Sequence, residues 1–204
     1  MKKEVFEKAF KEGLNKNFNK YSKYFDFEFY VYPELGSLVF EINKCLIIEF
    51  SRAAITLTNH LLERVLKLSL IYNETGIRPI LTDNWVSVFT EPNKKFSSIN
   101  LGSSIEKCKK EGLITDDEKV VLFDTIRNLM RNGFSHADPN IVLDKIPDES
   151  TFFQGSFTNP TELKKVKLNQ KIIPVFQSIQ MENFAKENAF PYFDFIFRFT
   201  SVAL

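Results

Sequence analysis

The sequence predicts an all-α fold, and three observations carry that prediction. Apolar residues recur at helical spacing through most of the 204 residues. Two Ser/Thr-x-x-Glu patterns, at 103–106 and 115–118, are typical of helix N-termini, because the hydroxyl and the carboxylate each satisfy an unpaired backbone N–H. The 22 Phe residues supply large, rigid surfaces for a helical core or a subunit interface.

The N-terminal arm, residues 1–33, is predicted to hold a helix followed by a short extended segment. Alternating apolar and acidic residues between 24 and 32 favour a strand or extended β arm, which Pro33 ends. The helix is indicated by apolar residues that repeat every four positions, namely Phe6, Phe10, Leu14 and Phe18.

The middle of the chain is predicted to start with one long helix from about Leu38 to Asn73, with a kink left open. Thr75-Gly76 is its stop signal, because Gly favours the backbone conformation that ends a helix. Residues 76–100 are expected to form a loop with a short helical piece around Trp85.

The two capping patterns are predicted to open the next two helices. The first runs from Ser103 to Glu111 and stops at Gly112. The second follows Thr115 with acidic residues in its first turn, where they complement the helix dipole. Its apolar side is expected to consist of Val121, Phe123, Ile126, Leu129 and Met130.

The remaining residues are predicted to form an insertion and a last helix. Pro and Gly residues recur through 137–175, so this insertion before the last helix is expected to be mainly irregular, with a hairpin left open. A Phe-rich helical region then runs from Gln177 to the C-terminus and is interrupted near Pro191. A single domain over 1–204 is therefore expected, with its core at about 38–136 and 177–204.

Composition limits the classes of function. The formal net charge is +1, so the overall electrostatic field of the protein does not attract RNA, and any RNA contact must come from a local basic patch. Cys45 and Cys108 are isolated and fit neither a metal site nor a disulfide framework. No apolar segment follows the first basic residues, and charges break the most apolar tract, 38–72, so no membrane span and a cytoplasmic location are expected.

The sequence from Arg131 to His136 is the strongest functional candidate. Arg131, Asn132 and His136 bring a guanidinium, a carboxamide and an imidazole within six residues, and these groups can hold a phosphate, orient it and move a proton. On a continuous α-helix Asn132 and His136 share a face, whereas Arg131 points about 140° away from His136. Gly133 can end or distort the last turn of the helix, so that the three side chains meet at one opening on the surface.

This motif ends a capped amphipathic helix that follows a long apolar one, and it resembles the signature of the HEPN superfamily (higher eukaryotes and prokaryotes nucleotide-binding). That signature is an Arg, four to six residues and a His, often with Asn, Asp or His directly after the Arg. Arg131, Asn132 and His136 match it with four intervening residues. The resemblance covers about 38–136 and 177–204 and implies a HEPN-like four-helix bundle core.

The resemblance implies a metal-independent endoribonuclease of a toxin or antiviral defence system. Its substrate would be RNA, its candidate partner an antitoxin or another defence-system protein, and it would need neither cofactor nor metal. Arg131 would clamp the phosphate, Asn132 would orient the phosphate or the imidazole, and His136 would act as general acid or base. Because one chain offers one His at the motif, a two-fold homodimer would supply the second.

The residues that would support this site are Glu63, Ser135 and Asp138. Glu63 is a candidate partner for Arg131, although an ion pair with Lys67 on its own helix is an equal alternative. Asp138 stands where one toxin branch of the family has a Tyr that an antitoxin modifies, so this form of control is not predicted.

Other interpretations of the motif stay open. Arg131 and His136 are cations at a helix C-terminus, where the helix dipole alone favours them. A HEPN-like module that binds nucleotide or RNA, or that dimerises, without cleaving is the second class of function. His60, on the predicted long helix, is interpreted as a solvated or rim residue.

Overall fold

The computed structural model describes residues 2–26, 32–76, 82–135, 138–155 and 163–202. Helices dominate these residues, and a small antiparallel hairpin is the regular β structure among them, which confirms the all-α class. The helices are α1 Lys3–Tyr21, α2 Gly36–Ile47, α3 Ser51–Thr75, α4 Trp85–Phe96, α5 Leu101–Lys110, α6 Asp116–Val120, α7 Pro139–Val142 and α8 Pro174–Val202. A π-helical segment, Val121–Ser135, directly follows α6, and the hairpin consists of β1 Glu149–Gln154 and β2 Lys164–Asn169.

Helix α3 forms the centre of the molecule and contacts α2, α4, α5, α8 and the π-helical segment. Its buried side chains lie on most sides of the helix, as a helix surrounded by neighbours requires. Ile55, Leu61, Leu62 and Val65 have no exposed surface. Burying each of these side chains stabilises the fold by roughly 1.5–3 kcal/mol.

The prediction of one long helix from Leu38 to Asn73 is wrong, because the helix is interrupted between α2 and α3. Glu49 adopts a φ of 61°, a left-handed conformation that is uncommon for residues other than Gly. Lys16 and Asn17 of α1 hold the Glu49 carboxylate, with donor–acceptor distances of 2.6 and 3.4 Å. The predicted end of the helix is correct, because α3 stops at Thr75 and Gly76 has a φ of 78°.

The N-terminal helix is confirmed as α1, but its apolar face is not part of the core. Phe6, Leu14 and Phe18 are each about 45% exposed. Helix α1 contacts the end of α2 through Gly13 and Asn17 instead. The Asn17 amide donates to the Ile47 carbonyl at 3.0 Å, and a Cβ on Gly13 would come within 2.9 Å of the same oxygen.

The extended arm predicted between 24 and 32 is wrong at its start. Ser22–Tyr24 forms a 3₁₀ turn, and the buried Tyr24 donates a hydrogen bond to Asp194 of α8 at 2.5 Å. Residues 27–31 of the predicted arm lie outside the described residues. A second 3₁₀ turn, Pro33–Leu35, leads directly into α2.

One of the two predicted capping boxes forms. Thr115 accepts a hydrogen bond from the Glu118 N–H, and the Glu118 carboxylate accepts one from the Thr115 N–H. Helix α5 begins two residues earlier than expected, because Asn100 caps it by accepting from the Ser103 N–H at 2.9 Å. The stop at Gly112 is correct, since this residue has a φ of 72°.

The C-terminal part has two helices and the hairpin. Residues Glu149–Gln154 and Lys164–Asn169 form the hairpin that the sequence left open. Helix α8 continues through Pro191, so the predicted interruption is wrong; buried Ala185 and Phe193 on either side of Pro191 keep the helix packed against the core. Among the described helices, none is long and apolar enough to cross a membrane.

Candidate functional site

The segment that delivers the motif is a π-helix. In a π-helix the backbone N–H bonds to the carbonyl five residues back, so each turn holds more residues than an α-helical turn. The buried side chains Leu122, Ile126, Met130 and Phe134 recur every four residues on the side of the segment that faces the core. The predicted apolar side was therefore wrong in part: Val121 is 37% exposed, whereas Leu122, which was not predicted, is fully buried.

The π-helical geometry also bears on the faces on which Arg131 and Asn132 lie. The expectation that Asn132 and His136 share a face assumed α-helical turns, whereas the described backbone is π-helical as far as Ser135. His136, the predicted acid or base, lies outside the described residues, so its role remains an expectation from the sequence.

Gly133 allows α7 to approach this end of the π-helical segment. A Cβ at Gly133 would lie 2.9 Å from the Ile141 side chain and 3.1 Å from that of Val142. The Gly133 carbonyl also accepts a hydrogen bond from the Asp138 N–H at 2.8 Å. Any larger side chain would push α7 away, which explains Gly here by packing rather than by helix termination.

Arg131 forms an ion pair with Glu63 of α3, which was a predicted supporting residue. The Arg131 Nε donates to Glu63 Oε1 at 2.5 Å across 68 positions of sequence. Both side chains are partly exposed, 30% for Arg131 and 24% for Glu63. Lys67 donates to the Ser97 carbonyl at 3.0 Å, so the structure pairs Glu63 with Arg131 and not with Lys67.

A buried amide connects the end of the π-helical segment to two helices. The Asn59 side chain of α3 donates to the Met130 carbonyl at 3.0 Å and to Ser135 Oγ at 2.7 Å. Its carbonyl oxygen accepts from the Tyr192 hydroxyl of α8 at 2.6 Å. Asn59 is only 5% exposed, so these bonds replace those that water would make.

The Tyr192 hydroxyl is a neutral donor in this network. Burial raises the pKa of Tyr192 above its ordinary range, and the negative charge of Glu63 raises it further. Neither Asn59 nor Tyr192 was predicted from the sequence. One feature of the sequence could have identified Asn59: it lies among the apolar residues of a central helix, where a buried polar side chain needs a hydrogen-bond partner.

These residues surround a solvent-open cleft of about 440 Å³ between α3 and the π-helical segment. The cleft is lined by Thr56, Leu57, Asn59, His60, Glu63, Arg131 and Ser135. Three of the predicted site residues therefore meet here: Arg131, Glu63 and Ser135. His60 is exposed at this cleft, as the rim interpretation expected.

Two predicted site residues lie apart from this set. Asn132 is half-buried and is not among the described residues that line the cleft. The Asp138 carboxylate accepts from the Asn140 N–H at 3.1 Å and caps α7. Asp138 thus has a local structural role in the described part of the chain.

Protein-family models, curated proteins and solved structures yielded no match to this chain. No group of three or more His, Cys, Asp or Glu side chains with metal-site geometry occurs in the described ranges. The function therefore has to be inferred from the residues of the cleft and from the motif.

Proposed function

We propose that the chain is a metal-independent endoribonuclease of the toxin or defence type with a HEPN-like helical core. The observation that carries this proposal is the Arg131 guanidinium, held at an open cleft directly before the rest of the Arg–His motif. The order of helices also supports it, since a long central helix, a capped helix carrying the motif and a C-terminal helix pack together.

The Arg131–Glu63 pair favours phosphate binding by fixing the orientation of the guanidinium. A carboxylate on the Nε edge restrains a side chain that otherwise has several rotamers, so less entropy is lost when the phosphate binds. The side chain remains 30% exposed, which gives solutes access to the cation. A positive group held in place before the reaction stabilises the charge that develops on the phosphorane.

The chemistry we propose is an internal transesterification. The 2′-oxygen of the ribose attacks phosphorus, and the bond from phosphorus to the 5′-oxygen breaks. A base takes the proton of the 2′-hydroxyl, and an acid gives a proton to the departing 5′-oxygen. The products are a 2′,3′-cyclic phosphate and a 5′-hydroxyl, and no electrons are exchanged with another reactant.

His136 is proposed as one of the two proton-transfer groups. Imidazole is suited to this work because it gains and loses a proton near neutral pH. The residue before it, Ser135, is tied to Asn59 and through Asn59 to Tyr192. This network supports the proposal because proton transfer needs a group that is held in position.

A homodimer and an antitoxin or other defence-system protein are the proposed partners. If two motifs face each other across a two-fold axis, each site gains a second His136. Light scattering on the purified chain tests the dimer: a monomer that retains full cleavage activity at the assay concentration contradicts it.

The second candidate is a noncatalytic module that binds RNA or nucleotide or mediates dimerisation. The observation that favours it is that Glu63 already balances the charge of Arg131, so the guanidinium can hold a phosphate but has less positive charge to stabilise the phosphorane. The enzyme and an RNA-binding module differ in what happens to the RNA and not in whether it binds, whereas a dimerisation module binds no RNA.

The experiment incubates purified chain with labelled RNA, with and without a chelator, and identifies the product ends. Cleavage that leaves 2′,3′-cyclic phosphate ends and is unchanged by the chelator is the expected result. Binding without cleavage supports the noncatalytic module instead. Cleavage that requires a divalent cation contradicts the proposed mechanism.

A further inference from the structure

We infer that the outer face of the β1–β2 hairpin binds single-stranded RNA and holds the substrate strand outside the cleft. The choice of RNA as the polymer rests on the proposed function. Because the net charge of the chain is only +1, binding of RNA needs a local basic patch. The two strands supply one, since they carry three lysines and one glutamate, namely Lys164, Lys165, Lys167 and Glu149.

The register of the hairpin places an aromatic ring and two lysines on the outer face. Alternate residues of a strand point to the same side of a sheet, and directly opposed residues share that side. Phe153 lies opposite Lys165, and Lys167 follows two residues later, so these three side chains share the outer face. Phe153 is 61% exposed, and the Lys165 ammonium lies 6.0 Å from the centre of its ring. An exposed ring bordered by lysines offers a base a surface for stacking and the adjoining phosphates a cation.

The other face of the hairpin is attached to the body of the protein. Phe152 stacks on Phe176 of α8, with ring centroids 4.4 Å apart and 27° between the ring planes. At the base of the hairpin, the buried Gln170 side chain donates to the Pro147 carbonyl at 2.6 Å and accepts from Gln180 of α8 at 2.8 Å. The outer face is therefore presented on an ordered support, and less conformational entropy is lost when a strand of RNA binds.

The lysines of the hairpin are accessible to phosphates. Lys164 and Lys165 are exposed. Lys167 pairs with Glu149 at 3.7 Å, but the two side chains are 75% and 61% exposed, and an ion pair so exposed to water contributes little stability. A phosphate that takes the place of the glutamate keeps the ammonium paired, so binding exchanges one anion for another.

The exposed ring favours single-stranded RNA over two other anionic partners. In a duplex the bases are paired and stacked on each other, whereas an unpaired base can stack on an aromatic side chain. An acidic protein segment would be attracted by the lysines, but its carboxylates would be repelled by the negative face of the Phe153 ring. Because every base has a flat face, we expect little dependence on the RNA sequence.

The hairpin is connected to the cleft through α7. Helix α7 packs against Gly133, two residues after Arg131. Glu149 is seven positions after Val142, the last residue of α7, so their Cα atoms are at most about 25 Å apart at roughly 3.6 Å per residue. Proteins that bind single strands cover about 4–16 nucleotides, so one strand can contact both Arg131 and the hairpin.

The test measures binding of a labelled single strand of 2′-O-methyl RNA, about 12 nucleotides long, by fluorescence anisotropy. The methyl group blocks the attacking oxygen, so binding is measured without cleavage. Phe153→Ala should raise Kd by about 5- to 100-fold, the range for losing one base–ring stack, and Phe153→Trp should retain the binding. Changing Lys164, Lys165 and Lys167 together to Gln should lower the slope of log Kd against log salt concentration by about 2, at roughly 0.7 per phosphate contact.

Phe40 and Lys44 of α2 provide the matched control. Phe40 is 50% exposed, and the Lys44 ammonium lies 4.7 Å from the centre of its ring, so the same pair of groups occurs outside the hairpin. Phe40→Ala and Lys44→Gln should leave Kd and the salt slope unchanged. In cleavage assays with ordinary RNA, the hairpin variants should raise KM and retain kcat, because they lose substrate binding and leave the cleft intact.

Four outcomes overturn the inference. Equal affinity of the Phe153→Ala and Phe40→Ala proteins for the strand would show that no base stacks on the hairpin ring. Equal affinity of the unmodified chain for a duplex of the same sequence would show that unpaired bases are not recognised. Binding of a polyglutamate peptide as tight as that of RNA would indicate a surface for acidic proteins. A change from dimer to monomer in Phe153→Ala, measured by light scattering, would indicate an interface between two copies of the chain.

The failure of this inference can be distinguished from the failure of the proposed function. If the chain binds the 2′-O-methyl strand through the hairpin but cleaves no ordinary RNA, the ribonuclease proposal fails and the binding surface is supported. If the chain cleaves RNA while the hairpin variants keep the Kd and KM of the unmodified chain, the binding surface is wrong and the ribonuclease proposal stands.

Discussion

The cleft between α3 and the π-helical segment and the groove between α1 and α2 are of similar size but opposite character. The cleft contains an ion pair and a hydrogen-bonded buried amide. The groove, about 470 Å³, presents aromatic and aliphatic side chains with one lysine, namely Phe10, Leu14, Phe18, Phe25, Phe40, Lys44, Ile47 and Ile48. The polar groups of the cleft are held in fixed directions by partners, whereas apolar contacts in the groove impose little direction.

This contrast indicates where chemistry can be located in a chain with so many aromatic residues. Catalysis needs charges and donors oriented before substrate arrives, and the cleft has them. The groove contains aromatic rings in contact: the ring centroids of Phe18 and Phe25 are 6.3 Å apart, and those of Phe25 and Phe40 are 5.1 Å apart. Its lining residues include no comparable set of polar groups. Changes in the cleft should therefore alter activity, and changes in the groove should not.

The largest expected effect is that of His136→Ala on RNA cleavage. Loss of the imidazole removes an acid–base group, so the rate should fall by about 10²- to 10⁴-fold. The measurement is the single-turnover cleavage rate, with circular dichroism to verify that the helical signal is retained. The groove variant Phe18→Ala is the control and should cleave at the unmodified rate. Equal cleavage by both variants would remove the functional distinction between the two regions.

Arg131→Lys should have the next largest effect. The ammonium keeps the charge but cannot reproduce the planar, two-pronged contact with a phosphate. A loss of about 10²- to 10³-fold in kcat is expected, comparable to removing one transition-state donor. Arg52→Lys is the matched control, because Arg52 of α3 is likewise paired with a glutamate, Glu182, at 3.5 Å, but it does not line the cleft. Similar losses in both variants would mean that Arg131 acts only through stability.

Tyr192→Phe should destabilise the protein and slow cleavage to a smaller extent. The change deletes only the hydroxyl and leaves the buried Asn59 oxygen without its donor, which costs about 1–3 kcal/mol. Urea unfolding measures this loss. Tyr72→Phe is the control, because its half-buried hydroxyl bonds to Glu34 at 3.3 Å near the surface, and a change within about 0.5 kcal/mol is expected there. A loss no larger than that of the control would show that the Asn59 network contributes little.

The same tyrosine predicts how stability depends on alkaline pH. The folded protein raises the pKa of Tyr192 above the ordinary value of 10.0, mainly by burial, and burial raises the pKa of Tyr32 to about 12. The unfolded chain therefore loses these protons first, and stability that is complete below pH 10 should fall as the pH rises above it. Urea midpoints measured from pH 9 to 11 test this. Partial burial also raises the pKa of Tyr72, but Tyr192 is the more deeply buried of the two, so Tyr192→Phe should show a shallower fall than Tyr72→Phe. Parallel curves would contradict this prediction.

The parts of the fold that depend on local chemistry could be predicted from the sequence, and the parts that depend on distant residues could not. The Thr115–Glu118 capping box needs only residues within one turn, and it forms as predicted. The interruption of the helix at Glu49 could not be predicted, since no Gly or Pro marks it in the sequence. The contacts that hold the Glu49 carboxylate come from Lys16 and Asn17, more than thirty positions away. The π-helical turns likewise have no marker in the sequence, because the spacing of the buried side chains in this segment also fits an α-helix.

The candidate site follows the same rule. Arg131 and Glu63 could be proposed because a guanidinium at a motif calls for an anionic partner, and the structure pairs them. The hydrogen bonds from Asn59 to Ser135 and from Tyr192 to Asn59 join residues 76 and 133 positions apart, and no local pattern encodes such distances. His60 is one helical turn from Glu63, but its position at the cleft depends on the packing of α3 against the motif segment, which the sequence does not encode locally.

The smallest expected effect is that of Phe18→Ala on stability. Phe18 is 46% exposed in the groove, so truncation removes only part of the burial that a core side chain provides. A loss of about 1 kcal/mol or less is expected in urea unfolding, because surface positions away from special features cost little. Leu62→Ala, at a fully buried position on α3, should cost about 2–5 kcal/mol and sets the scale for the same measurement. If Phe18→Ala costs as much as Leu62→Ala, the groove is part of the core, and the separation between a structural centre and an open apolar surface is wrong.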